Sequence, residues 1–393
     1  MRRPAFVVAA LLVLVVPAGS SGAAAPPITI GTTALLTGTS ASVDLVRGEQ
    51  AYFRFVNARG GVDGRQITFQ ALDDGGNASN AAANARGLIG KDKVLALFSV
   101  VGSEANLAVL GVAAVAHVPQ VFSAGTARAF SLDSAHYPLT TGYPPSEYEV
   151  AEVFAHRILA ASRTSAKVAV LAADDVDGQD ALSGFRQGLG KQGAALLAST
   201  ATVSPTATSV EPELARLQQS GANSLALFAP AAVVLATYKE LAILKWQPQV
   251  YLGTDVTGTP FAGLGSGPAV EGSISVLWAR DPGTAQFKRD PGVKLAAQIM
   301  KLYGAGPSDG DVVAGMAAAY SFVDALRQAG PIPTRATLVS AIDNLTEVSN
   351  PFLVPGVEVR MTPGGRFPIT QMLLVRRHAG RWVPFGGIQS AGT

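Results

Sequence analysis

A repeated alternation of short apolar segments with helical segments limits the folds open to this chain more than any other feature. Several of the apolar segments, such as Val94 to Val101, run almost without a polar break. Strands of this kind are typical of parallel sheets covered on both faces, because neither face meets water. The first part of the chain predicts strands at Ile28 to Ala34, Gln66 to Leu72, Val94 to Val101 and Gln120 to Ser123, and helices at Val43 to Ala58, Asn77 to Ile89 and Glu104 to Val115. This order predicts a doubly wound α/β domain.

The alternation stops at a proline-rich segment, residues 137–145, and then starts again. The later part predicts strands at Lys167 to Ala172, Ala194 to Thr200, Ser224 to Phe228, Gln249 to Gly253, Ser273 to Trp278, Val357 to Met361 and Gln371 to Arg376. It predicts helices at Glu147 to Ala160, Gln179 to Lys191, Glu211 to Gln219, Ala231 to Leu244, Gly292 to Tyr303, Asp311 to Ala329 and Arg335 to Asn344. A break followed by a restart indicates a second domain of the same architecture, and 393 residues are more than one core usually holds.

The N-terminus has the order of a secretory signal. Arg2 and Arg3 precede an apolar run from Ala5 to Val16, and small residues follow up to Ala25. The run is shorter than the roughly 20 residues that a membrane span needs. We therefore expect residues 1–25 to be a cleaved signal peptide and the protein to be exported and soluble.

Composition excludes several kinds of function. The chain has no cysteine, so we expect no disulfide, no thiolate metal site and no cysteine to carry a lipid anchor. The formal net charge is +2, and removal of the signal takes away two arginines, which leaves a neutral protein. Nothing in the scattered charges indicates a nucleic-acid partner or an anionic membrane surface.

A glycine-rich turn carries a family resemblance. Residues 57–64 read Asn-Ala-Arg-Gly-Gly-Val-Asp-Gly, and the pair Asp73 and Asp74 follows. One of the paired glycines can take the left-handed conformation that ends a helix, and the third permits the next turn. The pattern resembles the first lobe of the periplasmic branched-chain amino-acid binding proteins, the type I solute receptors of ABC importers.

The resemblance implies two doubly wound parallel-sheet lobes joined by a hinge that the chain crosses three times. It implies crossings near Leu139 to Tyr143, Ile274 to Ala279 and Pro351 to Gly356. The first lobe then consists of residues 26–140 and 279–350, and the second lobe of residues 141–278 and 351–393. The late helices are expected to pack on the first lobe and the last strands on the second.

Two strand ends in the first lobe carry small hydroxyl residues. One predicted strand runs into Gly102 and Ser103, and the next runs into Ala124, Gly125 and Thr126. Ligands of open parallel sheets bind beyond such carboxyl ends, where helix N-termini offer free N–H groups. The resemblance implies that these residues hold the carboxylate of a ligand, whereas the simpler alternative is that Ser103 only caps its helix.

In the second lobe the resemblance implies an acidic partner for a ligand ammonium group, and Asp255 stands at that place. Its alternative role is to cap the turn that follows. Tyr143 and Trp278 have the same two possible roles: each can stack on a ligand or pack within the hinge. In the pocket, family members often carry tyrosine where this chain has Val43, Asp177 and Ala231, and of these three we expect Asp177 to bind the ligand. These differences leave the ligand open between an amino acid and another aliphatic or aromatic carboxylate.

Other motifs fail on their context. Residues 188–193 fit G-x-G-x-x-G but follow a predicted helix, so they indicate a helix C-terminus and not a dinucleotide site. Residues 174–180 lack the ligand spacing of an EF-hand calcium loop. No serine has the G-x-S-x-G context of a hydrolase, and the four histidines form no H-E-x-x-H pair.

The sequence therefore predicts an exported, non-lipidated receptor that closes on a small carboxylated ligand and delivers it to an inner-membrane ABC permease. We expect a monomer without catalytic residues, cofactor or metal. A sensor or regulator on the same fold is the main alternative, and an exported α/β hydrolase is the remaining one.

Overall fold

The structure is a computed structural model that describes residues 25–38, 40–129, 137–162, 166–253, 267–362 and 365–392. The predicted signal peptide, apart from Ala25, lies outside the described residues, and so does Asp255. Over the described residues, no helix is long and apolar enough to cross a membrane.

The first sheet has five parallel strands. In chain order the elements are β1 (Ile28–Ala34), α1 (Ala41–Asn57), β2 (Ile67–Asp73), α2 (Ala78–Gly90), β3 (Leu97–Phe98), α3 (Ser103–Val115), β4 (Gln120–Ser123) and β5 (Thr140–Gly142). The strands lie in the order β2-β1-β3-β4-β5. All four pairings are parallel, as the apolar strand pattern predicts.

The second sheet begins with the same arrangement. Its elements are α4 (Glu147–Ser162), β6 (Val168–Ala173), α5 (Val176–Gly193), β7 (Leu197–Val203), α6 (Glu211–Gln219), β8 (Ser224–Phe228), α7 (Ala231–Ile243), β9 (Gln249–Leu252) and β10 (Ile274–Leu277). The five strands lie in the order β7-β6-β8-β9-β10 and pair in parallel.

The last part of the chain contributes to both lobes. It contains α8 (Pro291–Tyr303), α9 (Gly310–Ala329), α10 (Arg335–Asp343), β11 (Thr346–Glu347), β12 (Val359–Arg360), β13 (Gln371–His378) and β14 (Arg381–Ser390). Helix α9 packs against α1, whereas β13 and β14 extend the second sheet beside β10. Both added strands run antiparallel, so the second sheet is parallel over five strands and mixed at this edge.

The late helix α9 helps to form the core of the first lobe. Its Phe322 lies 4.7 Å from Phe98 of β3, measured between ring centroids, and Phe53 of α1 lies 5.4 Å from Phe98. All three rings are buried. A lobe built from distant parts of the chain is expected where the chain crosses between lobes more than once. The chain leaves the first sheet after β5 and leaves the second after β10, and it returns to the second at β13.

The two sheets share one strand order: the second strand in the sequence lies on one side of the first strand, and all later parallel strands lie on its other side. This change of side lies between β1 and β3 in the first sheet and between β6 and β8 in the second. Ligand sites in such sheets form at this switch point, beyond the carboxyl ends of the strands. The topology therefore assigns one candidate site region to each sheet.

The glycine turn connects α1 to β2. Gly60, Gly61 and Gly64 have φ of 98°, 76° and 78°, so all three use the left-handed conformation. A Cβ on Gly61 would lie 1.9 Å from the carbonyl oxygen of Arg65. The Asn57 side chain accepts a hydrogen bond from the N–H of Ile67 and donates one to its carbonyl, each at 2.8 Å. The motif therefore fixes where β2 begins.

Three details differ from the sequence prediction. Strand β3 is two residues long instead of spanning Val94 to Val101, because buried Ser99 has φ of 54° and ends the extended run. Residues 194–196 form a 3-10 turn, so β7 begins at Leu197. Strands β5, β11 and β14 were not predicted. The glycines at 188–193 do lie at the C-terminal end of α5, where Gly190 has φ of 56°.

Candidate functional site

The two switch points face each other, and hydrogen bonds join them. Ser103 is the first residue of α3, at the carboxyl edge of the first sheet, and Thr126 follows β4 at the same edge. Asp177 lies in the first turn of α5, directly after β6 of the second sheet. The carboxylate of Asp177 reaches across the space between the sheets and contacts both hydroxyl groups.

The hydroxyl groups of Ser103 and Thr126 form one polar cradle. Ser103 Oγ accepts hydrogen bonds from the N–H groups of Thr126 at 3.0 Å and Ala127 at 3.1 Å. It donates its proton to Asp177 Oδ1 at 2.7 Å, and Thr126 Oγ1 donates to the same oxygen at 2.8 Å. The helix cap of α3 is Gly102, which has φ of 89° and no side-chain cap bond, so the alternative that Ser103 only caps its helix is wrong.

Further contacts join the two sides beside this cradle. The N–H of Arg128 donates to Asp180 Oδ2 at 2.6 Å, and the Arg128 guanidinium lies 3.8 Å from the ring centroid of Tyr148. Burial raises the pKa of Asp180, while the N–H group and charge of Arg128 oppose that rise. The first two turns of α5 are therefore tied to the loop that follows β4.

A cavity of about 150 Å³ lies beside the cradle, between the first sheet and the crossing segments. Most of its wall is apolar, and Trp278 is the one aromatic residue among the described lining residues. The lining residues are Ala41, Ser42, Leu45, Val101, Ala124, Thr126, Pro144, Val276, Leu277, Trp278, Ala279, Asp281, Gly310, Asp311 and Ala314. Pockets for drug-sized ligands measure roughly 300–1,000 Å³, so this cavity suits a smaller molecule.

A second, smaller recess of about 50 Å³ lies on the side of the second sheet. Its polar lining residues are Glu147, Asp175 and Asp177. Backbone approaches closely there, since a Cβ on Gly178 would lie 2.1 Å from the carbonyl oxygen of Ala173. The recess is therefore narrow and acidic.

The lining of both spaces carries negative charge and no positive charge among the described residues. Asp281 is 6% exposed, and its carboxylate accepts hydrogen bonds from the N–H of Gly283 at 2.8 Å and the hydroxyl of Thr284 at 3.3 Å. Burial raises the pKa of Asp281, and these two hydrogen bonds counteract the rise. Asp311 stands in the first turn of α9 and lines the same cavity. This arrangement suits a ligand with a cationic group.

Tyr143 does not line either space. Its hydroxyl donates to the carbonyl oxygen of Ala317 at 2.8 Å, and its ring lies 5.1 Å from Phe122 and 5.8 Å from Trp278. The residue is 2% exposed. Tyr143 therefore packs behind Trp278, which itself lines the cavity.

The other candidates from the sequence fall into two groups. Ala124 lines the cavity, and Gly125 lies buried in the loop between Ala124 and Thr126. Asp255 lies outside the described residues. Sequence reasoning missed Asp281 and Asp311, although one follows a predicted hinge strand and the other begins a predicted helix.

Asp311 also belongs to a cluster of three carboxylates, of which it alone lines the cavity among the described residues. Ligand atoms of Asp44, Asp309 and Asp311 fall within 4.8 Å of one another, and Arg47 pairs with Asp44. Burial, followed by the charge of Asp309, raises the pKa of Asp44. Because a nearby cation already compensates this charge, the cluster carries no metal assignment.

A larger cavity of about 510 Å³ lies elsewhere, between α7 and residues 267–270. Its lining includes Trp246 and Gln247, which precede β9. The cavity therefore lies near the amino end of that strand, away from the switch points. Because ligand sites in such sheets form at the carboxyl ends, the smaller cavity in the cleft is the better candidate.

Comparisons with known proteins agree with this architecture. Residues 27–381 match the sequence profile of a family described as periplasmic binding proteins. No curated protein sequence gives a significant match. The fold also matches a branched-chain amino acid ABC transporter protein from Thermus thermophilus with bound valine, at a TM-score of 0.81 and 19% identity, covering 93% of this chain and 97% of that one.

Two further structures come from Rhodopseudomonas palustris. A solute binding protein in complex with 3,4-dihydroxy benzoic acid matches at a TM-score of 0.73 and 19% identity, covering 93% of this chain and 98% of its own. Another solute binding protein, in complex with benzoate, matches at a TM-score of 0.75 and 17% identity, covering 93% of this chain and 97% of its own. At these identities the likeness shows a shared fold, which confirms the predicted type I architecture. The profile match spans most of the chain, and the chain therefore belongs to the periplasmic binding protein family.

Proposed function

We propose that this protein is an extracytoplasmic receptor that binds a small carboxylated ligand between its two lobes and delivers it to an ABC importer. One observation carries the proposal. The hydroxyl groups of Ser103 and Thr126 already bind a carboxylate oxygen, that of Asp177, beside a cavity of suitable size. Hydrogen bonds to a charged acceptor are the strong ones, so this cradle suits the carboxylate of a ligand.

The charge of the lining favours a ligand that also carries an ammonium group. Asp281 and Asp311 face the cavity, and no described lining residue supplies a positive charge. A simple carboxylate would bring one more negative charge into this space, whereas a zwitterion brings its own cation. The apolar wall formed by Leu45, Val101 and Leu277 accommodates a short aliphatic side chain. An amino acid such as a branched-chain one meets all three requirements.

Asp255 belongs to the same proposal as a second partner for the ammonium group, by resemblance to the family. A charge-assisted hydrogen bond shielded from water contributes roughly 1.5–3 kcal/mol. Gly102, Ala124 and Gly125 complete the backbone around the ligand carboxylate. The proposal involves no bond cleavage, and it requires no catalytic residue, cofactor or metal.

Hinge closure is the proposed mechanism. The ligand first binds the cradle of the first lobe, and the second lobe then closes over it through the three crossing segments. Closure removes water from the charged groups, so each one needs a partner in the closed form. The monomeric, closed receptor is the form offered to the permease.

An aromatic carboxylate is the second candidate ligand. Trp278 lines the cavity and can stack on an aromatic ring. Two structural neighbours are in complex with benzoate and 3,4-dihydroxy benzoic acid. The acidic lining favours the amino acid over this candidate.

A thermal-shift screen across amino acids, keto acids and aromatic acids tests the proposal. Binding to the folded state stabilises it by mass action and so raises the melting temperature. At a ligand concentration one hundred times Kd, the added free energy of unfolding is about 2.7 kcal/mol. We expect an amino acid to give the largest shift and Asp255→Ala to weaken its binding at least tenfold by calorimetry, a loss of about 1.4 kcal/mol. No shift with any of these acids contradicts the proposed ligand class.

A further inference from the structure

Asp177 occupies the place that a ligand carboxylate would take. Its Oδ1 accepts the hydroxyl protons of both Ser103 and Thr126, at 2.7 and 2.8 Å. Each hydroxyl has one proton to donate, and both protons are used in these bonds. A second carboxylate placed on the same cradle would find no hydroxyl proton and would lie against a like charge.

Helix capping does not account for this position. Acidic residues are common in the first turn of a helix, because the N-terminus of the helix favours negative charge. Here the cap is Asp175, whose Oδ1 accepts a hydrogen bond from the N–H of Gly178 at 2.9 Å. Asp177 lies two residues further on and turns one of its oxygens to the opposite lobe.

The bond belongs to a set of contacts between the lobes. Asp180, one helical turn beyond Asp177, accepts the N–H of Arg128 at 2.6 Å. Tyr148 of α4 lies beneath the guanidinium of the same arginine. The start of α5 therefore meets the first-lobe cradle as a complementary surface with its own carboxylate.

We propose that Asp177 is an internal competitor for the carboxylate site of the first lobe. It holds the ligand-free lobes together, and a ligand carboxylate takes its place in the cradle when the lobes open, before they close over the ligand. This inference rests on the proposed function, because competition requires a ligand that uses the same cradle. It makes Asp177 a specificity-determining residue, since only a ligand whose total interactions exceed those of the internal carboxylate is retained. Weak carboxylates would then be rejected by the resting receptor.

Solution scattering of the protein without ligand gives the first test. Asp177→Ala removes the carboxylate, so we expect a larger radius of gyration than in the wild type as the lobes separate. Asp174→Ala is the matched control, because Asp174 lies in the loop just before α5 but is exposed and makes no side-chain hydrogen bond to the first lobe among the described residues. Identical scattering from the wild type and Asp177→Ala overturns the proposal.

Calorimetry with L-valine and benzoate as probes gives the second test. We expect Asp177→Ala to bind the preferred probe about tenfold more tightly, as expected when one charge-assisted competitor is removed. Asp174→Ala is expected to match the wild type. An unchanged or weaker affinity in Asp177→Ala contradicts the competition.

A double-mutant cycle separates competition from a purely structural bond. In the wild type, Thr126→Val removes a bond from both the internal and the ligand carboxylate, so affinity changes little. In the Asp177→Ala background the same change is expected to weaken binding about tenfold. Equal losses in both backgrounds contradict competition. If neither probe binds any variant, the proposed ligand class fails, and the scattering result still decides the role of Asp177.

Discussion

Glu149 illustrates how a half-buried acid at the start of a helix shapes stability. Its Oε2 accepts the N–H of Ser146 at 2.9 Å, and Ser146 Oγ accepts the N–H of Glu149 at 3.3 Å. This reciprocal pair is a capping box at the start of α4, next to the first crossing between the lobes. Burial raises the pKa of Glu149 from 4.5 to about 7, although the bonds to Ser146 oppose the rise.

The raised pKa predicts a pH-dependent stability. Between pH 4.5 and about 7 the folded protein retains a proton on Glu149 that the unfolded chain has lost, so the free energy of unfolding falls as pH rises. The Gln side chain keeps the capping box but cannot titrate. Across this pH range we expect the free energy of unfolding of Glu149→Gln to fall by up to about 3 kcal/mol less than that of the wild type. The melting temperature of the variant should therefore change less with pH.

Glu104→Gln is the control for this prediction, because Glu104 is exposed in the first turn of α3. Its pH profile is expected to follow the wild type. A Glu149→Gln profile as steep as that of the wild type would show that the Glu149 carboxyl does not titrate in this window.

Individual site residues differ in how far the sequence could predict them. Ser103 and Thr126 come after neighbouring parallel strands, so the strand pattern predicts that they meet at one edge of the sheet. The N–H of Thr126 donates a hydrogen bond to Ser103 Oγ at 3.0 Å. The contact of Asp177 with both depends on the placement of one lobe against the other. No local pattern contains that placement, so this bond could not be predicted from the sequence.

Among the elements, α1 and α9 pack closely because two glycines bring their backbones together. A Cβ on Gly48 would lie 2.1 Å from the carbonyl oxygen of Val312, and a Cβ on Gly315 would lie 2.1 Å from that of Leu45. Leu45 also lines the cavity, as do residues in the first turns of α9. The spacing of these helices therefore sets one wall of the candidate site.

We expect Gly48→Ala to destabilise the protein, because the added methyl group overlaps backbone that cannot rotate away. Overpacking of this kind costs about 1–3 kcal/mol. The midpoint of urea unfolding should fall accordingly. The same variant is expected to weaken ligand binding, since α9 must shift outward.

Gly87→Ala is the matched control within another helix of the same lobe. A Cβ there meets no atom within 4 Å, so the usual gain of about 1 kcal/mol for alanine over glycine in a helix should appear. Opposite shifts of the two midpoints are the expected result. A Gly48→Ala protein as stable as the wild type contradicts the close packing.

Element boundaries were predictable where the pattern is regular and not where backbone geometry interrupts it. Strand β14 was not predicted because it contains Pro384, Gly386 and Gly387, and these residue types are uncommon within strands. Strand β3 ends at Phe98 because the next residue, Ser99, has a left-handed backbone conformation. One polar residue within an apolar run does not predict such a conformation. Long periodic segments such as α9 are found from the sequence within a residue, because burial of one face determines them.

At the level of the whole molecule, two sheets with the same strand order place their switch points on opposite sides of one cleft. The strand alternation and the family resemblance were sufficient to predict this architecture. They were not sufficient to predict the acidic lining, because Asp281 and Asp311 come from a crossing segment and from a late helix. The ligand class depends on such long-range placement.

The position of the tryptophans allows the ligand to be located directly. Trp278 lines the cleft cavity, Trp246 lines the larger cavity beside α7, and Trp382 is buried in β14. A fluorescence titration with the acid that gives the largest thermal shift therefore reports which cavity is occupied. Trp278→Phe and Trp246→Phe each remove one reporter.

If the ligand binds in the cleft, the wild type and Trp246→Phe show the same saturable emission change, and Trp278→Phe loses it while calorimetry still detects binding. An emission change that survives in Trp278→Phe but disappears in Trp246→Phe would place the ligand outside the cleft and contradict the proposed site.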